Sequence, residues 1–164
     1  MSVSGVEEFV TTLQTHQKAV EAGLDRVLRT AAYDVAESII VGSPDTGSPG
    51  TPVDTGFARR SWWVSLNSPG EPHQPGSNPD PTRTQRYVAW DWGPQLLDAK
   101  IGDTVYILSN CVYMRSLEHG HSQAQAPLGM IRLTLSVWDA IVERAVQAVR
   151  AADEIASETT DTTE

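Results

Sequence analysis

Three groups of residues have types and spacings that could do chemistry. Asp-Thr-Gly occurs twice, at Asp45-Thr46-Gly47 and Asp54-Thr55-Gly56. In an aspartic protease this tripeptide presents one of two carboxylates that share a proton. His119 and His121 flank Gly120 and follow Glu118, and two histidines one residue apart project the same way on an extended segment, as metal ligands would. Cys111 lies close enough in sequence to the same histidines to imitate a thiol–imidazole nucleophile pair.

The surroundings argue against each. The first Asp-Thr-Gly sits in Gly42-Ser43-Pro44-Asp45-Thr46-Gly47-Ser48-Pro49-Gly50, with no strand before it. The second follows Pro52 and leads into Phe57-Ala58-Arg59-Arg60, and copies nine residues apart cannot form the two halves of a proton-sharing site. Asp54 reads instead as an acceptor for the backbone N–H groups after it, with Gly56 supplying a permissive backbone angle. A zinc site needs a third and usually a fourth ligand, and neither His16 nor His73 stands at a ligand spacing. Cys111 has no basic neighbour in sequence to lower its pKa and reads as a small buried apolar group. The glycines match neither a phosphate loop nor a dinucleotide fingerprint. No catalytic residue, metal ligand or cofactor site is assigned.

Composition narrows the classes further. The 164 residues are the size of one domain, and 40% hydrophobic content is ordinary for a chain with a packed core. No apolar run approaches the length of a membrane span. The first residues are acidic and lack an apolar block, so no signal peptide is expected. A lone cysteine excludes an internal disulfide and fits synthesis in a reducing cytoplasm. The net charge of −9 divides as −3 over residues 1–41, −2 over 42–129 and −4 over 130–164. With no basic stripe, tight binding to nucleic acid through its phosphates is not expected. An acidic wall would let DNA pass without adhering.

The elements that must position these residues follow from periodicity. From Val6 to Val41 the apolar residues fall three and four apart, with Val6, Phe9, Val10, Leu13, Val20, Leu24, Val27 and Ala31 on one stripe. As one helix this is ~50 Å long, and a helix of that length in a small domain is expected to pack on more than its own chain. Gly42 to Pro52, with three prolines and three glycines, cannot continue it. Alternation over Ser61 to Leu66 predicts a strand that buries Trp62, Val64 and Leu66 and leaves Trp63 on the more exposed face. Asn67 to Pro81 holds five prolines and reads as a long flexible insertion.

A short element is expected near Trp90 and Trp92, a strand over Thr104 to Ser109, and a helical turn or two over Val112 to Glu118. A final amphipathic helix is expected from about Ile131 to Ile155, its stripe including Leu135, Trp138, Ile141, Val142, Ala145 and Val149. Residues 157–164 read as a fraying acidic tail after a single domain spanning 1–156. Trp62 and Trp138 read as core, and Trp63, Trp90 and Trp92 as subunit-interface anchors. The fold class is α+β: two long helices flank a small antiparallel sheet, joined by long Pro/Gly-rich loops. So small a sheet leaves edges that invite neighbours.

In order and separation, these features resemble a family of bacteriophage neck and tail-completion proteins. The resemblance rests on a long helix, then Thr51-Pro52-Val53-Asp54-Thr55-Gly56 with Ala58-Arg59, then a strand. It continues with Val105 to Asn110, Tyr113, Leu117-Glu118, Gly120, Gln125-Ala126-Pro127 and Gly129-Met130. It spans residues 6–150, departing in the longer 67–81 insertion and in Gln123-Ala124-Gln125-Ala126. It implies a non-enzymatic virion protein made in the host bacterial cytoplasm, a homo-oligomeric ring, six-fold by analogy, at the head–tail junction. The partners implied are the tail tube protein and the head–tail connector proteins, with DNA only passing through and no membrane. A head-completion adaptor or another minor tail component is the nearest alternative. A small aspartic or metal-dependent hydrolase is the alternative of another class. Within the assembly reading, Asp54 and Gly56 fix the loop into the first strand, and Arg59 and Arg60 contact a neighbouring subunit with Glu118 as acidic partner. Pro127 and Gly129 stiffen and turn the chain into the last helix.

Overall fold

Two helices, α1 (Val3–Ile40) and α6 (Trp138–Asp161), carry the architecture, and everything else is hung on the end where they pack. The computed structural model of the chain describes residues 3–54, 56–72 and 92–161. Between the long helices lie α2 (Phe57–Arg60), β1 (Trp62–Leu66), α3 (Gly93–Leu96), β2 (Val105–Ser109), α4 (Met114–Glu118) and α5 (Ile131–Ser136). The fold is α+β. β1 and β2 form a two-stranded antiparallel sheet running from Trp62 opposite Ser109 to Leu66 opposite Val105.

The core is built by the C-terminal half of α1. Ala31, Ala32, Val35, Ala36, Ile39 and Ile40 are buried there, and the alanines let α6 approach with Ile141 and Ala145. β1 adds Trp62 and Val64, as its alternation predicts, and Trp92, Leu96, Met114 and Met130 close the remaining sides. Each large side chain taken wholly out of water here contributes on the order of 1.5–3 kcal/mol.

α1 stops where the sequence changes character. Val41 and Gly42 both donate their N–H to the Glu37 carbonyl, and the chain reverses through Gly42 into a small closed loop bridged between Ser43 and Ser48. The loop returns so tightly that a side chain at Gly50 would put its Cβ 2.3 Å from the Val41 carbonyl carbon, so only glycine fits. The first Asp-Thr-Gly is inside this loop. Its Thr46 hydroxyl lies 2.6 Å from the Ser38 hydroxyl, which is 2.6 Å from that of Thr134. Ser48 donates to the Ser38 carbonyl, Thr51 to the Ile39 carbonyl, and the Trp62 indole N–H to the Thr51 hydroxyl. A chain of buried hydroxyls thus fastens α1 to the loop, to β1 and to α5. The buried polar groups satisfy one another, as burial requires.

The last helix differs from its expectation. Val137 leaves helical geometry (φ −116°, ψ 24°), which splits the segment into α5 and α6. Leu135 and Trp138, expected on the buried stripe, flank the break and are exposed. The C-terminal residues expected to fray continue α6 to Asp161, and 162–164 lie outside the described residues. The proline-rich insertion is described only to residue 72. There Asn67 and Asp103 bond across the sheet end, and the Trp63 indole donates to the Pro69 carbonyl.

Candidate functional site

The two motif loops, 51–57 and 112–130, are more than fifty residues apart in sequence and meet on one face of the molecule. In the first, Thr51 is anchored by its hydroxyl to α1, and Gly56 takes a left-handed backbone (φ 81°) to start α2. Arg59 then reaches back and donates twice to the Thr51 carbonyl, through Nε at 3.1 Å and Nη2 at 2.9 Å. Partial burial lowers the pKa of this guanidinium. Arg59 therefore staples its own loop, and Arg60 beside it is half-buried.

The second loop is organised by Glu118. Its Oε2 accepts from the backbone N–H groups of Met130 (2.9 Å) and Ile131 (2.8 Å), and Oε1 from the N–H (2.9 Å) and Nε (3.1 Å) of Arg132. The Arg132 Nη2 also donates to the Glu118 carbonyl at 2.7 Å. A carboxylate that ends one helix thus caps the start of another, a favourable place for negative charge. Burial alone would raise its pKa, but the donors from Ile131, Met130 and Arg132 outweigh it and hold the carboxyl below the usual range. Gly129 makes the contact possible: with φ at 80°, an added Cβ would sit 2.4 Å from the Glu118 carbonyl oxygen. Glu118 is thus occupied within its own chain, instead of standing as the acidic partner of Arg59 or Arg60 across a subunit boundary. Its carboxylate is buried and its acceptor sites are filled.

The His-x-His pair is also accounted for locally. His119 Nδ1 lies 2.7 Å from the Arg115 carbonyl and His121 Nδ1 2.9 Å from the Ser116 carbonyl, so each ring closes the C-terminal end of α4. Facing oxygens that only accept, both Nδ1 atoms carry the proton. Among the described residues, no three His, Cys, Asp or Glu side chains gather as a metal set. His16 is on the exposed part of α1 and His73 lies outside the described residues. The two Asp-Thr-Gly carboxylates work in separate places. Asp45 pairs with Arg144 at 2.6 Å, while Asp54 faces the second loop.

The loops are joined by one side-chain amide and one aromatic contact. Gln125 Oε1 accepts from the Val53 N–H at 2.7 Å, and its Nε2 donates to the Val53 carbonyl at 3.1 Å. The rings of Phe57 and Tyr113 stand 6.3 Å apart, tilted by 38°. Between them lies a cleft of about 230 Å³, lined by Asp54, Gly56, Phe57, Tyr113, His121 and Gln125 among others. Burial, a hydrogen bond with Cys111 and the charges of Cys111 and Asp54 push the Tyr113 phenol up to about 12. Phe57 and Tyr113, which line the cleft, are exposed, and Val112 and Leu128, elsewhere in the second stretch, are more exposed still.

The expected site residues thus fall into distinct environments. Asp54 and Gly56 lie on the cleft, only glycine fits at Gly120 because a Cβ there would strike the Pro127 carbonyl oxygen, and Gly129 turns the chain into α5. Trp63 is half-buried against its own loop. Trp92, expected at an interface, is a core residue, 5% exposed, its ring 5.8 Å from that of Tyr33. Trp90 lies outside the described residues. The sequence reading missed Gln125, Phe57 and Tyr113 as the joint between the loops. An exposed aromatic in each of two motif segments was the available signal. Compared with models of known families, with curated proteins and with solved structures, the chain matches none.

Proposed function

We propose that the chain is a non-enzymatic structural subunit of the neck of a long-tailed bacteriophage. It forms a closed ring that completes the tail tube and joins it to the head. The observation that supports this reading best is the joint between the two motif loops. Residues 51–57 and 112–130 are held as one surface by the Gln125 amide and the Phe57–Tyr113 contact. That surface offers exposed apolar groups around a cleft too small for a drug-sized ligand, the composition of a protein-contact patch. The resemblance of the two motifs to neck proteins supplies the setting.

The net charge of −9 suits a channel wall past which DNA moves without sticking. No described helix is long and apolar enough to cross a membrane.

The test is reconstitution. Purified chain is mixed with tail tubes and with DNA-filled heads, and bound mass is measured by sedimentation. Binding to tube ends is the expected outcome, and Phe57→Asp is expected to abolish it while leaving the circular dichroism spectrum unchanged. Binding to heads alone would move the protein to a head-completion role. Binding to neither would sink the reading.

A further inference from the structure

α1 changes partner along its length. Arg26 on α1 and Asp153 on α6 form a two-pronged ion pair at 2.6 and 2.8 Å, and on the N-terminal side of that pair residues 5–22 are all exposed. This arm is ~27 Å long at about 1.5 Å per residue. It carries Val6, Phe9, Val10, Leu13, Val20 and, at its base, Leu24, each between 43% and 62% exposed. An 18-residue helix is marginal alone in water, so a bare apolar stripe of this size needs a cover.

The stripe says what kind of cover. Val6, Val10, Leu13, Gln17, Val20, Leu24, Val27 and Ala31 are separated by alternating steps of four and three. That is a heptad seam, with Val10, Gln17 and Leu24 in the a positions and Val6, Leu13 and Val20 in the d positions. The partner of such a seam is another helix with the same period. Glu7, Glu8 and Glu21 outnumber Lys18 on the arm, which disfavours anionic lipid and nucleic acid as occupants.

We propose that the α1 arms of two copies of this chain pair over residues 6–24 as a parallel coiled coil. Parallel pairing sets Gln17 against Gln17 of the second copy, where two amides bond each other. An antiparallel pair would bury each amide against an apolar residue. His16 in the g position then faces Glu21 in the e position of the second copy, five residues on, where the imidazole N–H can donate to the carboxylate. The inference needs only a second copy and does not rest on the virion reading.

The test uses the full chain. Sedimentation equilibrium on the wild type is expected to show reversible self-association. Val10→Asp with Leu13→Asp, at positions exposed in the monomer, is expected to weaken it by about 100-fold while the thermal transition of the body stays in place. Gln17→Leu is expected to tighten it. Under mild oxidation Gln17→Cys is expected to give a disulfide-linked dimer, and Thr15→Cys, on the opposite helix face, to give none beyond the wild-type background. A monomeric wild type, or unchanged association in the double aspartate variant, overturns the pairing. Equal cross-linking at positions 15 and 17 overturns the parallel register. If the double aspartate variant loses self-association in solution yet still forms rings on tail tubes, the arm pairing stands apart from the ring contacts; if it keeps both, the arm pairing fails while the ring reading stands.

Discussion

Glu118 in the second motif loop is 7% exposed, and its carboxylate accepts four hydrogen bonds from residues 130–132. Asp54 in the first motif loop is exposed at the rim of a cleft whose other wall is the second loop. One carboxylate is consumed in making the loop, and the other is presented by it. Arg59, half-buried, staples its own loop through Thr51, and Arg60 beside it is half-buried as well. A motif carboxylate can therefore serve the scaffold or stand at the surface, and burial separates Glu118 from Asp54.

The sharpest way to break this contrast is to remove the cap. Glu118→Ala orphans three backbone donors at the start of α5, and a loss of about 2–4 kcal/mol in urea unfolding is expected. A value near zero would mean that α5 does not depend on the carboxylate. Gly129→Ala attacks the same contact from the other side. The positive φ and the 2.4 Å approach to the Glu118 carbonyl predict a loss of about 2–3 kcal/mol by the same measurement.

Thr46→Val tests the buried hydroxyl chain. It leaves the Ser48 N–H and the Ser38 hydroxyl each short of a partner, for an expected cost of about 1–2 kcal/mol. Acid should expose Glu118 again. Its folded pKa lies below the unfolded value, so its contribution is present above the ordinary glutamate range and disappears as pH falls through the folded pKa. Glu118→Gln should flatten that acid limb of the stability profile. Asp54→Asn is the smallest effect on the fold, within about 0.5 kcal/mol of wild type, yet it is expected to reduce assembly. A large loss of stability there would erase the contrast between the loops.

Much of the fold was legible because it is periodic. The stripe of α1 and the alternation of β1 gave elements within a few residues of those observed, and the Gly- and Pro-rich run at 42–52 ended the helix where it does end. The break at Val137 was not legible, since neither Ser136 nor Val137 is a helix breaker by type. The tryptophans show the limit of composition. Trp92 and Trp63 are chemically alike, and only their packing partners, Tyr33 for one and a loop carbonyl for the other, decide which is core.

At the site, the motifs stood out but their internal roles did not. Glu118 and Met130 are twelve residues apart, and nothing in the intervening loop announces that one caps the other. The hydroxyl chain was equally hidden, because Ser38, Thr46, Ser48, Thr51 and Thr134 belong to types that usually meet water. The exposed stripe near the start of α1 was visible as a stripe. The folded chain adds that its own body leaves that stretch uncovered.

The proposal that this chain works by assembling through its joined motif loops is tested most directly by the mass of the full chain in light scattering, alone and after mixing with phage tail tubes, for the wild type and for Asp54→Asn. The wild type is expected to join tube ends as a closed multiple of the subunit mass, and Asp54→Asn to stay folded but join far less. A wild-type chain that remains a strict monomer with both tubes and heads would contradict it.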